Sequence, residues 1–222
     1  MRIRKIVDLS HPVDAGTQVY PGDPVPRFAA ASTIERDGYN LLHVSMGSQS
    51  GTHCDAPYHF APDGAGIDRM ELALFAGPAV VVDIPEPAPR HRITWEEIAP
   101  VADRLGEGVV VLLRTGWSRR YGGDAYFDHP FLDAEACRRI LRTGVRTICL
   151  DTINIDETPD DDHPGEGFPV HRLVAAANGV IGENFAHLDR IDFPDPFVAF
   201  FPIKLTGADG APVRAVAMQL EV

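Results

Sequence analysis

Cysteine is scarce in this chain. The three present, Cys54, Cys137 and Cys149, are odd in number and far apart, which argues against a disulfide framework and fits a reducing compartment. Positive charge is also short: 20 Lys and Arg against 32 Asp and Glu leave a formal net charge of −12. That balance speaks against nucleic acid, which recruits a basic stripe, and against an anionic membrane surface. It is equally the charge of an ordinary soluble surface. Long apolar runs are missing. The opening stretch, Met1 to Asp8, carries basic residues but reaches an acid before any extended apolar segment. It is therefore expected to be neither a signal peptide nor a membrane span, and the protein is expected to be cytoplasmic. Repeats, low-complexity tracts and long linkers are absent as well, so residues 1–222 are read as one domain. A chain of this length buries roughly 70% of its unfolded surface and needs no disulfide to hold a core.

What is present points to an α/β protein with a mixed sheet and flanking helices. Apolar, β-branched runs bounded by Gly or Pro recur at 3–9, 79–84, 109–114, 145–150, 197–205 and 213–220, as buried strands do. Between them Thr94 caps a helix opening Trp95-Glu96-Glu97, with Glu97 completing a capping box. Asp133 caps a second over 134–143, where Ala136, Cys137, Ile140 and Leu141 share a face and Gly144 ends it. A shorter helix is expected over 171–177, stopping at Asn178-Gly179. The Pro-rich piece 85–89 and the acidic piece 156–167 read as surface loops.

The chemistry concentrates in Ser50-Gly51-Thr52-His53-Cys54-Asp55-Ala56-Pro57-Tyr58-His59. On extended backbone, residues two apart point the same way, so His53 and Asp55 would face one side together and Cys54 the other. Neutral imidazole nitrogen and ionised carboxylate oxygen are the donors that Zn²⁺ or Mn²⁺ takes. Pro57 would stiffen a turn that folds His59 back over them, where a non-coordinating imidazole can move a proton near neutral pH. Taken alone, a His-x-Asp pair is more often a surface hydrogen bond than a ligand set. On the residues alone, His171 on a helix face reads as a satisfied core or capping histidine, and Glu183 as a surface carboxylate.

The same segment resembles the signature of the cyclase family of metal-dependent hydrolases, His-x-Gly-Thr-His-x-Asp-x-Pro-x-His, the family of bacterial kynurenine formamidases and isatin hydrolases. The resemblance extends along the chain. It takes in Asp8-Leu9-Ser10-His11-Pro12, Tyr20-Pro21-Gly22-Asp23-Pro24, Arg114-Thr115-Gly116-Trp117, Asp151-Thr152-Ile153-Asn154-Ile155-Asp156, His171 and Gly182-Glu183-Asn184-Phe185. It implies a swivelling β/α fold and a metal-dependent hydrolase of C–N bonds acting on a small N-acylated or cyclic molecule. It also implies a homo-oligomer, dimer or tetramer. By position, it implies His53 and Asp55 as metal ligands, His171 and Glu183 completing a second position with Asp55 bridging, and His59 as general acid/base. The cofactor would be one or two divalent ions, Zn or Mn. Tyr20 and Phe60, lying in family-like segments, are the pocket-wall aromatics.

At one point the chain departs from the signature. Gln49 stands where the family has its first histidine, and a carboxamide oxygen is a neutral, harder and weaker donor than imidazole. The metal position that includes Gln49 is therefore expected to be weakened, to select a harder ion such as Mn²⁺, or to be empty. Rival readings are a lactonase or dehydratase on the same fold, a non-catalytic binding protein, and Cys54 as a nucleophile served by His59. Tyr58, Trp117 and Phe185 are further aromatic candidates for the pocket, and Asp160-Asp161-Asp162-His163 reads as a solvated loop.

Overall fold

Along Val110–Arg114 the side chains alternate between two cores. Val110 and Leu112 enter one apolar cluster with Leu9, Phe75, Phe185 and Phe200. Val111 and Leu113 enter another with Ile93, Ile98, Ile140 and Val174. A strand whose faces are both apolar must be covered on both sides, and the computed structural model, which describes residues 2–221, shows that arrangement.

In chain order the elements are β1 (Arg2–Asp8), β2 (Arg27–Ser32), α1 (Ile34–Asp37), β3 (Leu41–Ser45), β4 (His53–Asp55) and β5 (Ala76–Asp83). They continue with β6 (Arg92–Ile93), α2 (Trp95–Ile98), β7 (Val110–Arg114), β8 (Phe131–Leu132), α3 (Ala134–Arg142) and β9 (Thr147–Leu150). The last are α4 (Pro169–Ala176), β10 (Val180–Glu183), β11 (Phe197–Ala199), β12 (Gly210–Pro212) and β13 (Val216–Glu221). Nine strands form one mixed sheet in the order β1-β13-β11-β5-β7-β9-β10-β4-β12. Its centre, β5-β7-β9-β10, is parallel, and antiparallel strands flank it on both sides. The α/β class with a mixed sheet is as the sequence implied. Strands β2 and β3 form a separate hairpin, and β6 and β8 a short parallel pair.

The caps behave as their residues dictate. Thr94 and Glu97 form the capping box of α2, which passes at Pro100 into a 3₁₀ stretch, Ala99–Arg104. Asp133 accepts from the Glu135 and Ala136 amides to start α3. Gly144 follows its C-cap at φ +104, a left-handed conformation that favours glycine.

Four expectations need correction. The strand expected over 197–205 stops at Ala199: the Phe200 amide still bonds the Phe75 carbonyl in register with β5, but beyond it Pro202 has no N–H to continue a ladder. The run 213–220 is not one strand: Val213 pairs with Pro202 in an isolated bridge, and β13 starts at Val216. The third helix begins at Pro169, two residues earlier than expected, since Pro suits a first turn. Its Val170 and His171 amides donate to Asp156, so Asp156, assigned to a surface loop from sequence, is buried.

Candidate metal centre and pocket

The period of two along β4 decides the site. Cys54 turns into the core beside Ala211, while His53 and Asp55 face the opposite side. Antiparallel pairing sets Glu183 of β10 across from His53 and Ile181 across from Asp55, so all four side chains share a face. Helix α4 packs on that face through Val170 and Val174 and brings His171 down onto the two carboxylates. Gly182, between them, has no room for a side chain: a Cβ would lie 2.7 Å from both Cys149 Sγ and the Phe185 ring.

His53 Nε2 lies 3.6 Å from Asp55 Oδ1 and 3.4 Å from Glu183 Oε2. His171 Nε2 lies 3.4 Å from Asp55 Oδ2 and 3.4 Å from Glu183 Oε1. All four residues are buried, and neither Asp55 oxygen has a hydrogen-bond partner among the described residues. A buried carboxylate without donors is costly unless a cation answers it.

The far side of each ring fixes its tautomer. His53 Nδ1 donates to the Gly51 carbonyl at 2.8 Å, and His171 Nδ1 to Asp156 Oδ2 at 2.7 Å. Each Nε2 lone pair is thereby turned towards the carboxylates, the outer-shell arrangement of metal-binding histidines. Burial opposes a positive charge on His53, but Glu183 and Asp55 outweigh it and push its pKa up to about 9. His171 is likewise raised, burial opposing while Asp156, Asp55 and Glu183 pull it up. Burial raises the Glu183 carboxyl, and the two imidazoles reverse this and hold it below its ordinary range. Protons and a divalent cation thus compete for the same nitrogens. The donor set fits a divalent metal ion, with Asp55 able to offer one oxygen to each side.

Above this floor is a pocket of about 360 Å³, lined by Gln49, His53, His59, His171 and Glu183 among others. The aromatic wall is Tyr20, Phe60 and Phe168: ring centroids are 5.4 Å apart for Phe60 and Phe168, and 6.4 Å for Tyr20 and Phe168. Phe168 escaped sequence reading because it is brought in by the turn into α4. No Lys or Arg lines the pocket among the described residues. Trp117 and Phe185 are core, and Tyr58 is 45% exposed away from the pocket. The Cys54 thiol, buried and with its pKa raised well above normal by desolvation, is no nucleophile. His163 pairs with Asp160 on an exposed loop.

His59 follows Pro57 in a 3₁₀ turn, Pro57–His59, and a ring nitrogen comes within 4.8 Å of ligand atoms of Asp55 and His171. Its Nδ1 lies 2.9 Å from Asp209 Oδ2. Gln49 Nε2 also donates to Asp209 Oδ2, at 3.1 Å, while Gln49 Oε1 is buried without a partner among the described residues. Asp209 was invisible in the sequence because it lies 150 positions from His59. Its place before β12, which pairs with β4 (Gly210 opposite Asp55), puts it there.

The Cyclase family model, Putative cyclase, matches residues 7–157. The kynurenine formamidase of Bacillus cytotoxicus is 31% identical over 224 residues, 99% of this chain and 100% of the relative. That of Paracidovorax citrulli is 32% identical over 96% of both chains. In structure, isatin hydrolase A from Labrenzia aggregata, solved with benzyl benzoate bound, superposes with a TM-score of 0.86. It is 27% identical, and the match covers 98% of this chain and 94% of that one. The chain belongs to the cyclase family of metal-dependent hydrolases.

Proposed function

We propose that this protein hydrolyses the C–N bond of a small amide, N-acylated or cyclic, whose nitrogen is carried on an aromatic ring. The observation that carries the reading is the pair of orphaned Asp55 oxygens, each facing an imidazole Nε2, at the base of an aromatic-walled pocket. Kynurenine formamidases among the relatives and isatin hydrolase among the structural neighbours support a metal-dependent hydrolase of non-peptide C–N bonds.

His53, Asp55, His171 and Glu183 would hold one or two divalent ions, Zn or Mn. When bound, such an ion supplies Lewis-acid activation of water and of the scissile carbonyl. Gln49 Oε1, without a protein partner, is available there as a neutral and weak extra donor. The remaining steps belong to the chain. Tyr20, Phe60 and Phe168 hold the ring of the substrate and exclude water from one side. His59, its Nδ1 engaged by Asp209, has Nε2 free to take a proton from the attacking water and return it to the leaving nitrogen. An amide nitrogen leaves poorly unless it is protonated, so the second transfer is the one His59 serves most.

The same reading places the protein in the cytoplasm as a homo-oligomer. The three free cysteines support a reducing compartment, and no helix among the described residues is long and apolar enough to cross a membrane. The β2–β3 hairpin exposes Leu41, Leu42 and Val44 from both faces of β3, and an isolated two-stranded hairpin is marginal without a cover.

The test is a panel of N-formyl anilides, cyclic imides and lactones, assayed with protein loaded with Zn²⁺ or Mn²⁺. Turnover of the amides, lost on chelation and in His59→Ala, is expected. Turnover of lactones alone would overturn the amidase reading. Binding that survives His59→Ala with no turnover under either metal would make this a binding protein.

A further inference from the structure

Asp209 enters the pocket from a different part of the chain than the residues it touches. Ser48 Oγ donates to Asp209 Oδ1 at 2.8 Å, and Gln49 Nε2 and His59 Nδ1 both donate to Oδ2, at 3.1 and 2.9 Å. The segment from Ser48 to His59 therefore wraps round one carboxylate, with the metal-facing strand β4 between its two ends. The backbone fixes the relation as well: the Ala56 amide donates to the Asp209 carbonyl at 2.8 Å, extending the pairing of β4 with β12. Gly210, the next residue, allows Gln49 to lie flat on β12. A Cβ there would stand 2.6 Å from Gln49 Nε2 and 2.5 Å from the Cys54 carbonyl. Asp209 is not one of the groups converging on Asp55. Its oxygens are spent on three donors, none of them a metal-facing atom.

We propose that Asp209 is the positioning residue of the proton shuttle: it holds His59 in the tautomer that carries hydrogen on Nδ1, and Ser48 and Gln49 serve to clamp its carboxylate. This rests on the reading of His59 as acid and base. Three consequences follow from the geometry. Free rotation of the ring is prevented, because Oδ2 can satisfy Nδ1–H in one orientation only. The Nε2 lone pair is presented to the pocket before substrate arrives. When Nε2 takes the proton of the attacking water, the imidazolium finds its counter-charge already in place at 2.9 Å, and when that proton passes to the leaving nitrogen the neutral tautomer is restored. No atom or charge is left over. The position where the family signature has histidine thereby acquires a role in this chain through its amide Nε2, which an imidazole ligand turned towards the metal would not fill.

The experiment uses the metal-loaded chain and its Asp209→Asn and Asp209→Ala variants, with ring-substituted N-formyl anilides of graded leaving-group basicity. Both variants are expected to lose about 100- to 10,000-fold in kcat. KM and metal content per chain should stay within twofold, the loss should be largest for the most basic leaving amines, and Asp209→Glu should recover part of the rate. A loss equal for all leaving groups, or one accompanied by metal loss, would overturn the proposal. Long-range ¹⁵N NMR of histidine-labelled protein reads the His59 tautomer without any turnover. Wild type should show hydrogen on Nδ1 and Asp209→Ala should not. An unchanged tautomer would also overturn the proposal. Absence of anilide turnover in wild type, together with the expected tautomer change, would overturn the amidase reading and leave the Asp209–His59 pairing standing.

Discussion

Asp156 grips His171 twice through one oxygen: Oδ2 accepts from the His171 backbone amide at 3.0 Å and from its Nδ1 at 2.7 Å. The other oxygen accepts from the Val170 amide at 2.9 Å. One buried carboxylate thus caps α4 and fixes the ring that α4 carries. Asp156→Asn removes an acceptor for Nδ1–H and frees the wrong tautomer. Metal affinity should fall roughly 10- to 100-fold, read by competition against a chromogenic chelator. Affinity unchanged within twofold would show that Asp156 serves the helix alone.

Gln49→His tests the departure from the family signature. An imidazole at this position supplies a softer donor than the carboxamide and removes a donor to Asp209. Zinc bound per chain, or the preference for zinc over manganese, should rise by elemental analysis, while kcat per loaded site falls. A variant identical to wild type in both metal measures would remove position 49 from the metal centre.

Acid should weaken the fold through His129. This side chain is buried between the Pro130 carbonyl and Thr158 Oγ1, at 2.9 and 2.8 Å, and desolvation lowers its pKa to about 4. The unfolded chain takes up the proton near 6.5 and the folded one does not, so stability present above pH 6.5 is lost as pH falls towards 4. At pH 5 the loss is about 2 kcal/mol from this group. Urea unfolding of wild type and His129→Gln at pH 7.5 and 5.0 should show the gap between them narrowing by about that amount. A constant gap would refute the assignment.

The exposed hairpin makes the last prediction. Leu42 and Val44 are 58% and 42% exposed on a two-stranded sheet. Leu42→Glu with Val44→Glu should turn a dimer or tetramer into monomer by light scattering after gel filtration, without loss of bound metal. A wild-type monomer at micromolar concentration would end the oligomer reading.

Much of the site was legible because its parts are local. His53, Asp55 and His59 fall within one short stretch, and the alternation of an extended chain is enough to pair His53 with Asp55 and dismiss Cys54. The caps of α2 and α3 are local too, each a side chain answering amides two or three residues on. Strand ends were less secure where the reach of a partner strand decides them, as for β11, whose ladder with β5 runs only as far as the Phe200–Phe75 bond.

The sequence by itself determined the α/β class, the two-residue alternation that aims His53 and Asp55 together, and the helix that carries His171. It did so because backbone geometry and short-range hydrogen bonding act over a few residues. Only the tertiary structure decided that Asp156 locks His171, that Asp209 meets His59, and that Phe168 joins the pocket wall. Those contacts depend on strand order, register and the seat of α4 on the sheet. These are set by which apolar faces bury against each other across the whole chain, and no local pattern carries that information.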